Sequence, residues 1–154
     1  MVEEEIAKKF PKIKSIKIYK TPPDTLKILL TERKPAFIWQ TGETRVLIDD
    51  EGYVLDFAQR ENLPKIEDES KRPIPVQQRV APFNFMDFVI RLNQQLGKTI
   101  EFQIDKFAIE GNFWQVKVYN QKGIFLLFDV LGNLDEQLNK LKLVWPKVKK
   151  EAKE

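Results

Sequence analysis

The side chains that could carry chemistry in this sequence are limited to carboxylates, lysines and hydroxyls. The 154 residues include neither cysteine nor histidine, which excludes disulfides, thiolate or imidazole zinc sites, and triads that need an imidazole base. The densest carboxylate cluster is Asp49-Asp50-Glu51. Asp49 and Glu51 could serve a hydrolase only if opposed environments separated their pKa values, which nothing in the sequence predicts. Because the cluster also lacks the ligand spacing of a calcium loop, we interpret it as a hairpin turn.

The charge balance and hydropathy argue against nucleic acid binding and against a membrane span. Lysine and arginine number 26 and aspartate and glutamate 23, for a formal net charge of +3, which is far below the positive charge density that a phosphate backbone requires. No run approaches the roughly 20 apolar residues that cross a bilayer, and the acidic start is unlike a signal peptide. We expect no cofactor, no nucleic acid partner, and membrane attachment only through an upstream anchor outside this chain.

The elements that position these side chains begin with a small α/β unit. Residues 3–10 predict a short helix that ends at Pro11. Aliphatic side chains alternate along 13–19 and again along 26–31, which is the period of strands with one buried face. The sequence Thr21-Pro22-Pro23-Asp24 between them predicts a turn, so the two strands form a hairpin.

A mostly β pattern follows this unit. Residues 36–40, 44–49 and 53–57 are predicted strands separated by turn sequences rich in glycine and acidic residues. Residues 59–82 contain four prolines, many charges and little periodicity, so we interpret them as a surface connection.

The second half predicts two helices and three further strands. A helix begins after Pro82, and Gly97 is its predicted left-handed cap. Its predicted apolar stripe consists of Phe85, Phe88, Val89, Leu92 and Leu96. The last helix begins at Asn133, which with Glu136 matches a capping box, and Pro146 should kink or end it. The strands are predicted over 99–109, 113–120 and 124–129.

The predicted fold class is therefore α+β. A small helix–hairpin unit over residues 1–35 precedes a mostly antiparallel β domain over residues 36–154, on which two helices pack.

Several surfaces allow both a structural and a binding interpretation. The strand segment Ile124-Phe125-Leu126-Leu127-Phe128 is apolar at every position, so both faces are buried or one binds a partner; we expect burial. The charged strand end Glu32-Arg33-Lys34-Pro35 either protects an edge or contacts a partner, and we expect protection. The last helix carries an apolar stripe that is a core face or a coiled-coil seam, and we expect a core face; its members are Leu134, Leu138, Leu141, Trp145 and Val148.

One segment resembles a known family. Residues 11–36 run as a proline, alternating aliphatics, a basic residue, a Pro-Asp turn and a leucine strand closed by Glu-Arg-x-Pro. This order and spacing resemble the FtsQ/DivIB family of bacterial cell-division proteins, with Pro22 where an aromatic residue is usual. The likeness continues through Leu47-Ile48-Asp49, Gly52, Leu63-Pro64, the tryptophan-bearing strand at Phe113-Trp114-Gln115-Val116 and the late helix with Trp145-Pro146.

The resemblance implies a POTRA (polypeptide-transport-associated) domain followed by a β domain, outside the cytoplasmic membrane. The first POTRA strand and the family's terminal strands, which bind small coiled-coil partners of the FtsB and FtsL type, have no counterpart in residues 1–154. The candidate motif positions, either structural or facing a partner, are Pro23, Asp24, Leu26, Glu32, Arg33 and Pro35, and the candidate partner edge is Ile124, Leu126 and Phe128.

Two functions from different classes of binding protein follow. The first is a non-enzymatic scaffold of the septum-forming complex that recruits partners by strand addition. The alternative is a POTRA-type chaperone or transport module that binds extended polypeptides.

Overall fold

The computed structural model describes residues 1–75 and 78–151, which hold three helices and nine strands. In chain order they are α1 (Val2–Lys9), β1 (Ile13–Thr21), β2 (Thr25–Glu32), β3 (Phe37–Thr41), β4 (Thr44–Ile48), β5 (Val54–Phe57), β6 (Lys65–Asp68), α2 (Phe83–Thr99), β7 (Lys106–Ile109), β8 (Gln115–Tyr119), β9 (Phe125–Asp129) and α3 (Leu134–Glu151). Within these ranges, no helix combines the length and the apolar character that crossing a membrane requires.

The strands form two separate sheets. Strands β1 and β2 pair as an antiparallel hairpin, and the other seven form a sheet in the order β5-β4-β3-β6-β7-β8-β9. Strand β6 is parallel to both of its neighbours, whereas the remaining pairs are antiparallel. The α+β class and the mostly antiparallel sheet are therefore confirmed. The division into two domains at residue 35 stays a prediction.

The interpretation of residues 59–82 as a surface connection is wrong for β6. This strand lies in the centre of the large sheet, and Ile66 at its middle is fully buried. The sequence did not indicate a strand because β6 has four residues and Ile66 is its one aliphatic side chain. Its position depends on pairing with β3 and β7, which are distant in sequence. Residues 76 and 77 of this segment lie outside the described residues.

Helix α2 supplies much of the core on one face of the large sheet. The predicted apolar stripe is confirmed, since Phe85, Phe88, Val89, Leu92 and Leu96 are all buried. The predicted cap at Gly97 is wrong, because the helix continues to Thr99. The strand expected from residue 99 begins only at Lys106, the first residue that pairs with β8.

Helix α3 completes the layer that covers the sheet. Its predicted N-cap is confirmed, because Oδ1 of Asn133 accepts a hydrogen bond from the Glu136 N–H at 3.0 Å. The expected core face holds for four of its five members: Leu134 and Leu138 are buried, and Leu141 and Trp145 pack against the core. The last member, Val148, is exposed. The helix continues past Pro146, so this residue does not end it.

Candidate protein-interaction site

The carboxylate cluster is a turn that binds an arginine. Asp49 Oδ1 accepts the N–H groups of Glu51 at 3.0 Å and Tyr53 at 2.9 Å. Its Oδ2 accepts Arg33 Nη1 at 2.7 Å. These bonds occupy both oxygens of the Asp49 carboxylate. The residue lies in the turn between β4 and β5, so the prediction of a hairpin turn is confirmed. Residues 1–75 and 78–151 contain no cluster of three or more side chains suited to hold a metal ion.

Arg33 joins the hairpin unit to the large sheet. Its Nη1 also donates to Glu51 Oε2 at 2.8 Å, and its guanidinium lies 3.9 Å from the ring centroid of Tyr53. The side chain of Arg33 is 11% exposed and that of Asp49 1%. The hydrogen bond from Arg33 lowers the pKa of the Glu51 carboxyl below its ordinary value. Arg33 therefore makes an intramolecular connection between the hairpin unit and the turn after β4. Neither of the two interpretations of this strand end included such a role.

A second set of charges strengthens the same junction. Lys14 Nζ lies 3.0 Å from Asp50 Oδ1 and 3.7 Å from Glu51 Oε1. The hydrogen bond to Asp50 raises the pKa of Lys14. The sequence did not indicate these pairs, because Lys14 is 36 residues from Asp50 and one more from Glu51, and such partners come together only through the fold.

The other motif positions lie on the surface of the hairpin unit. The turn residues Pro23 and Asp24 are exposed, as are Glu32 and Pro35. Leu26 is 57% exposed.

Leu26 belongs to an exposed apolar row on β2. Ile28 and Leu30 stand beside it on the same face and are 52% and 58% exposed. Helix α1 packs on β1 and leaves this row uncovered. Among the described strands, only β1 pairs with β2.

Strand β9 forms one edge of the seven-stranded sheet, and its two faces differ. Phe128 is buried and Leu126 packs against the core, whereas Phe125 and Leu127 are 48% and 53% exposed. The expected burial of both faces is therefore wrong, because the helix layer covers one face of β9 only. Two of the three candidate edge residues, Leu126 and Phe128, point their side chains into the molecule; the third, Ile124, precedes the strand and is 37% exposed.

The open edge of β9 is defined by its hydrogen-bond register with β8. Val130 N–H bonds to Trp114 C=O at 2.9 Å, and Asn120 N–H bonds to Ile124 C=O at 2.9 Å. Since bonded and non-bonded pairs alternate in antiparallel strands, the even-numbered residues of β9 bond to β8. The N–H and C=O groups of Phe125, Leu127 and Asp129 therefore point away from β8.

A groove of about 800 Å³ lies beside the start of this edge. It runs between the end of α2, the β8–β9 turn and the second half of α3. Its lining includes Phe102, Lys122, Ile124, Trp145 and Lys149, and Glu101 is the one carboxylate among the lining residues of the described chain. The described lining therefore lacks the pair of carboxylates considered above for a hydrolase.

Comparison with known proteins links most of the chain to one family. The family described as "Cell division protein FtsQ/DivIB, C-terminal" matches residues 37–153. The "Cell division protein FtsQ" of Chloroflexus aurantiacus (strain ATCC 29366 / DSM 635 / J-10-fl) is 36% identical over 59 residues. That alignment covers 38% of this chain and 21% of the relative, so it spans about a fifth of the relative's length. The family match begins at the first residue of β3 and includes the whole seven-stranded sheet.

Proposed function

The chain belongs to the FtsQ/DivIB family of cell division proteins, and from this premise we propose that it is a non-enzymatic scaffold that binds other division proteins at the septum. The observation that carries this proposal is the open edge of β9. Strand edges recruit extended segments because unpaired backbone groups supply hydrogen bonds, while alternate side chains select the sequence.

Two features of β9 support strand addition. The outward N–H and C=O groups of Phe125 and Leu127 offer two donors and two acceptors to an incoming strand. The side chains of the same two residues are about half exposed and would gain apolar contacts from a partner. A native protein usually shields such an edge, so an apolar edge suggests that another segment covers it.

The proposed setting is the outer side of the cytoplasmic membrane. The FtsQ/DivIB match supports an anchored protein whose folded part lies outside the cell membrane, and the proposed partners are the ectodomains of other division proteins.

Leu127→Pro provides a direct test. Proline removes the outward N–H of residue 127 and places its ring at the edge, while the bonds between β8 and β9 remain. We expect purified ectodomains of division proteins to be retained by the wild-type chain and lost with Leu127→Pro. The control is Leu131→Ala, which changes an exposed residue that follows β9. Leu143→Pro would not serve as a control, because a proline at that position breaks α3. Equal retention by wild type and Leu127→Pro would contradict strand addition at β9.

The exposed row on β2 favours a second candidate, the binding of extended polypeptides by a POTRA-like unit. Leu26, Ile28 and Leu30 form a continuous apolar row of the kind that takes up unfolded segments. This candidate predicts that reduced, unfolded model proteins bind with little sequence preference and that Ile28→Glu abolishes their binding. Selective binding of division ectodomains would favour the scaffold.

A further inference from the structure

The edge of β9 is closed at one end by a side chain of α3. Gln137 Oε1 accepts the Asp129 N–H at 2.8 Å, and Gln137 Nε2 donates to the Asp129 C=O at 2.9 Å. One side-chain amide thus makes the pair of hydrogen bonds that a residue on a neighbouring strand would make. Asp129 is the third outward-facing residue of β9, so within the part of the chain that the structure describes two outward-facing residues, Phe125 and Leu127, remain unpaired.

The local backbone holds Gln137 in this position. Its Nε2 also donates to Asn133 C=O at 3.2 Å, which ties the side chain to the first turn of α3. Gly132 leaves the space that the amide occupies, because a Cβ there would lie 3.2 Å from Gln137 Nε2 and 3.3 Å from Asp129 Oδ2. The Gln137 amide thus bonds to both Asp129 and Asn133 and lies beside a residue without a Cβ.

We infer that Gln137 is a positioning residue that sets the register of strand addition: a partner segment pairs with Phe125 and Leu127 and stops before Asp129. This inference rests on the proposed scaffold function and specifies its partner. Because two outward residues remain, the paired part of the partner is short, about three to five residues.

The surroundings of the open stretch define the chemistry of that segment. Phe125 and Leu127 offer apolar side chains, so the partner presents apolar residues beside them. Lys122 lies in the turn at the open end, whereas the exposed carboxylates of Asp129 and Asp135 lie at the closed end. The complementary segment is therefore extended and apolar in its centre, with an acidic residue toward Lys122 and a basic residue toward Asp129.

Disulfide trapping tests the register. Because the chain has no cysteine, Leu127→Cys and Asp129→Cys each introduce a single thiol. The probe is a synthetic peptide with one central cysteine between valines, a glutamate at one end and an arginine at the other. We expect trapping at position 127 to exceed trapping at position 129 by about tenfold, since a strand at Asp129 must first displace two hydrogen bonds. When Gln137→Ala is added to each cysteine variant, the trapping yields at positions 127 and 129 should agree to within about twofold. Gln94→Ala makes the same change on the exposed surface of α2 and should leave the tenfold difference in place.

Amide hydrogen exchange separates this inference from the scaffold proposal. We expect the Asp129 amide to exchange at least about tenfold more slowly in the wild-type chain than in Gln137→Ala, with no partner present. Equal trapping at 127 and 129 in the wild-type chain, or unchanged exchange at Asp129, would overturn the role of Gln137. Trapping at neither position, with Asp129 still protected, would instead contradict strand addition itself and the partner inferred from it.

Discussion

Arg33 Nη1 lies 2.7 Å from Asp49 Oδ2, and this contact joins the end of the hairpin unit to the turn between the second and third strands of the large sheet. The carboxylate is almost fully buried, so its charge is compensated by Arg33 and two backbone N–H groups. Arg33 of the family motif and Asp49 of the acidic turn are 16 residues apart and are thus joined by one ion pair.

Replacing Arg33 should destabilise the protein markedly. Arg33→Met leaves the buried carboxylate of Asp49 without its cation, and we expect a loss of about 3 kcal/mol in the free energy of unfolding, measured by urea denaturation. Arg91→Met provides the matched control, because Arg91 pairs with Asp87 on the surface; its cost should be below about 1 kcal/mol. Similar losses for the two variants would contradict the role of Arg33.

The same junction should weaken in acid. The hydrogen bond from Arg33 lowers the pKa of Glu51 below its ordinary value of 4.5. A carboxyl whose pKa is lowered by folding stabilises the folded state fully above its ordinary value and loses that contribution as the pH falls through the lowered pKa. We therefore expect this part of the stability to decline below about pH 4.5 and to be absent in Glu51→Gln. An NMR titration of the Glu51 carboxyl carbon measures this pKa directly. A midpoint above 4.5 would contradict the expected lowering of the Glu51 pKa by Arg33.

Two glycines with positive φ should respond differently to alanine. Gly52 has φ +83°, and a Cβ there would lie 2.9 Å from the Ala81 carbonyl oxygen; Gly42 has φ +56° with no atom within 4 Å. Gly42→Ala should cost about 1 kcal/mol through its backbone conformation alone. Gly52→Ala adds a clash with the main chain, so we expect a loss of more than about 2 kcal/mol by thermal or urea unfolding. Equal losses would show that the approach of Ala81 does not restrict this turn.

Proline at successive positions of β9 should reveal which edge is open. The N–H of Leu126 bonds to β8, whereas that of Leu127 points outward. Leu126→Pro should therefore cost about 3 kcal/mol in unfolding free energy, and Leu127→Pro about 1 kcal/mol or less. The reverse order would show that the register of β8 and β9 is shifted by one residue.

Much of the local structure follows from the sequence because its causes are local. The alternating aliphatics of the hairpin, the Asn133 cap and the apolar face of α2 each depend on residues within about one turn or one strand of each other. The resemblance to the family also rests on short-range spacing, and the family match over residues 37–153 agrees with it.

The sequence by itself determined the α+β class, the absence of thiol and imidazole chemistry, and most of the helices and strands. Only the tertiary structure decided that Ile66 belongs to a central strand, that Phe125 and Leu127 stay exposed, that Arg33 binds Asp49 and that Gln137 covers the end of β9. The physical reason is that strand pairing, side-chain burial and long-range ion pairs depend on which distant segments meet. The spacing of apolar residues along the chain predicts that a helix or strand has an apolar face. It does not predict which other segment covers that face.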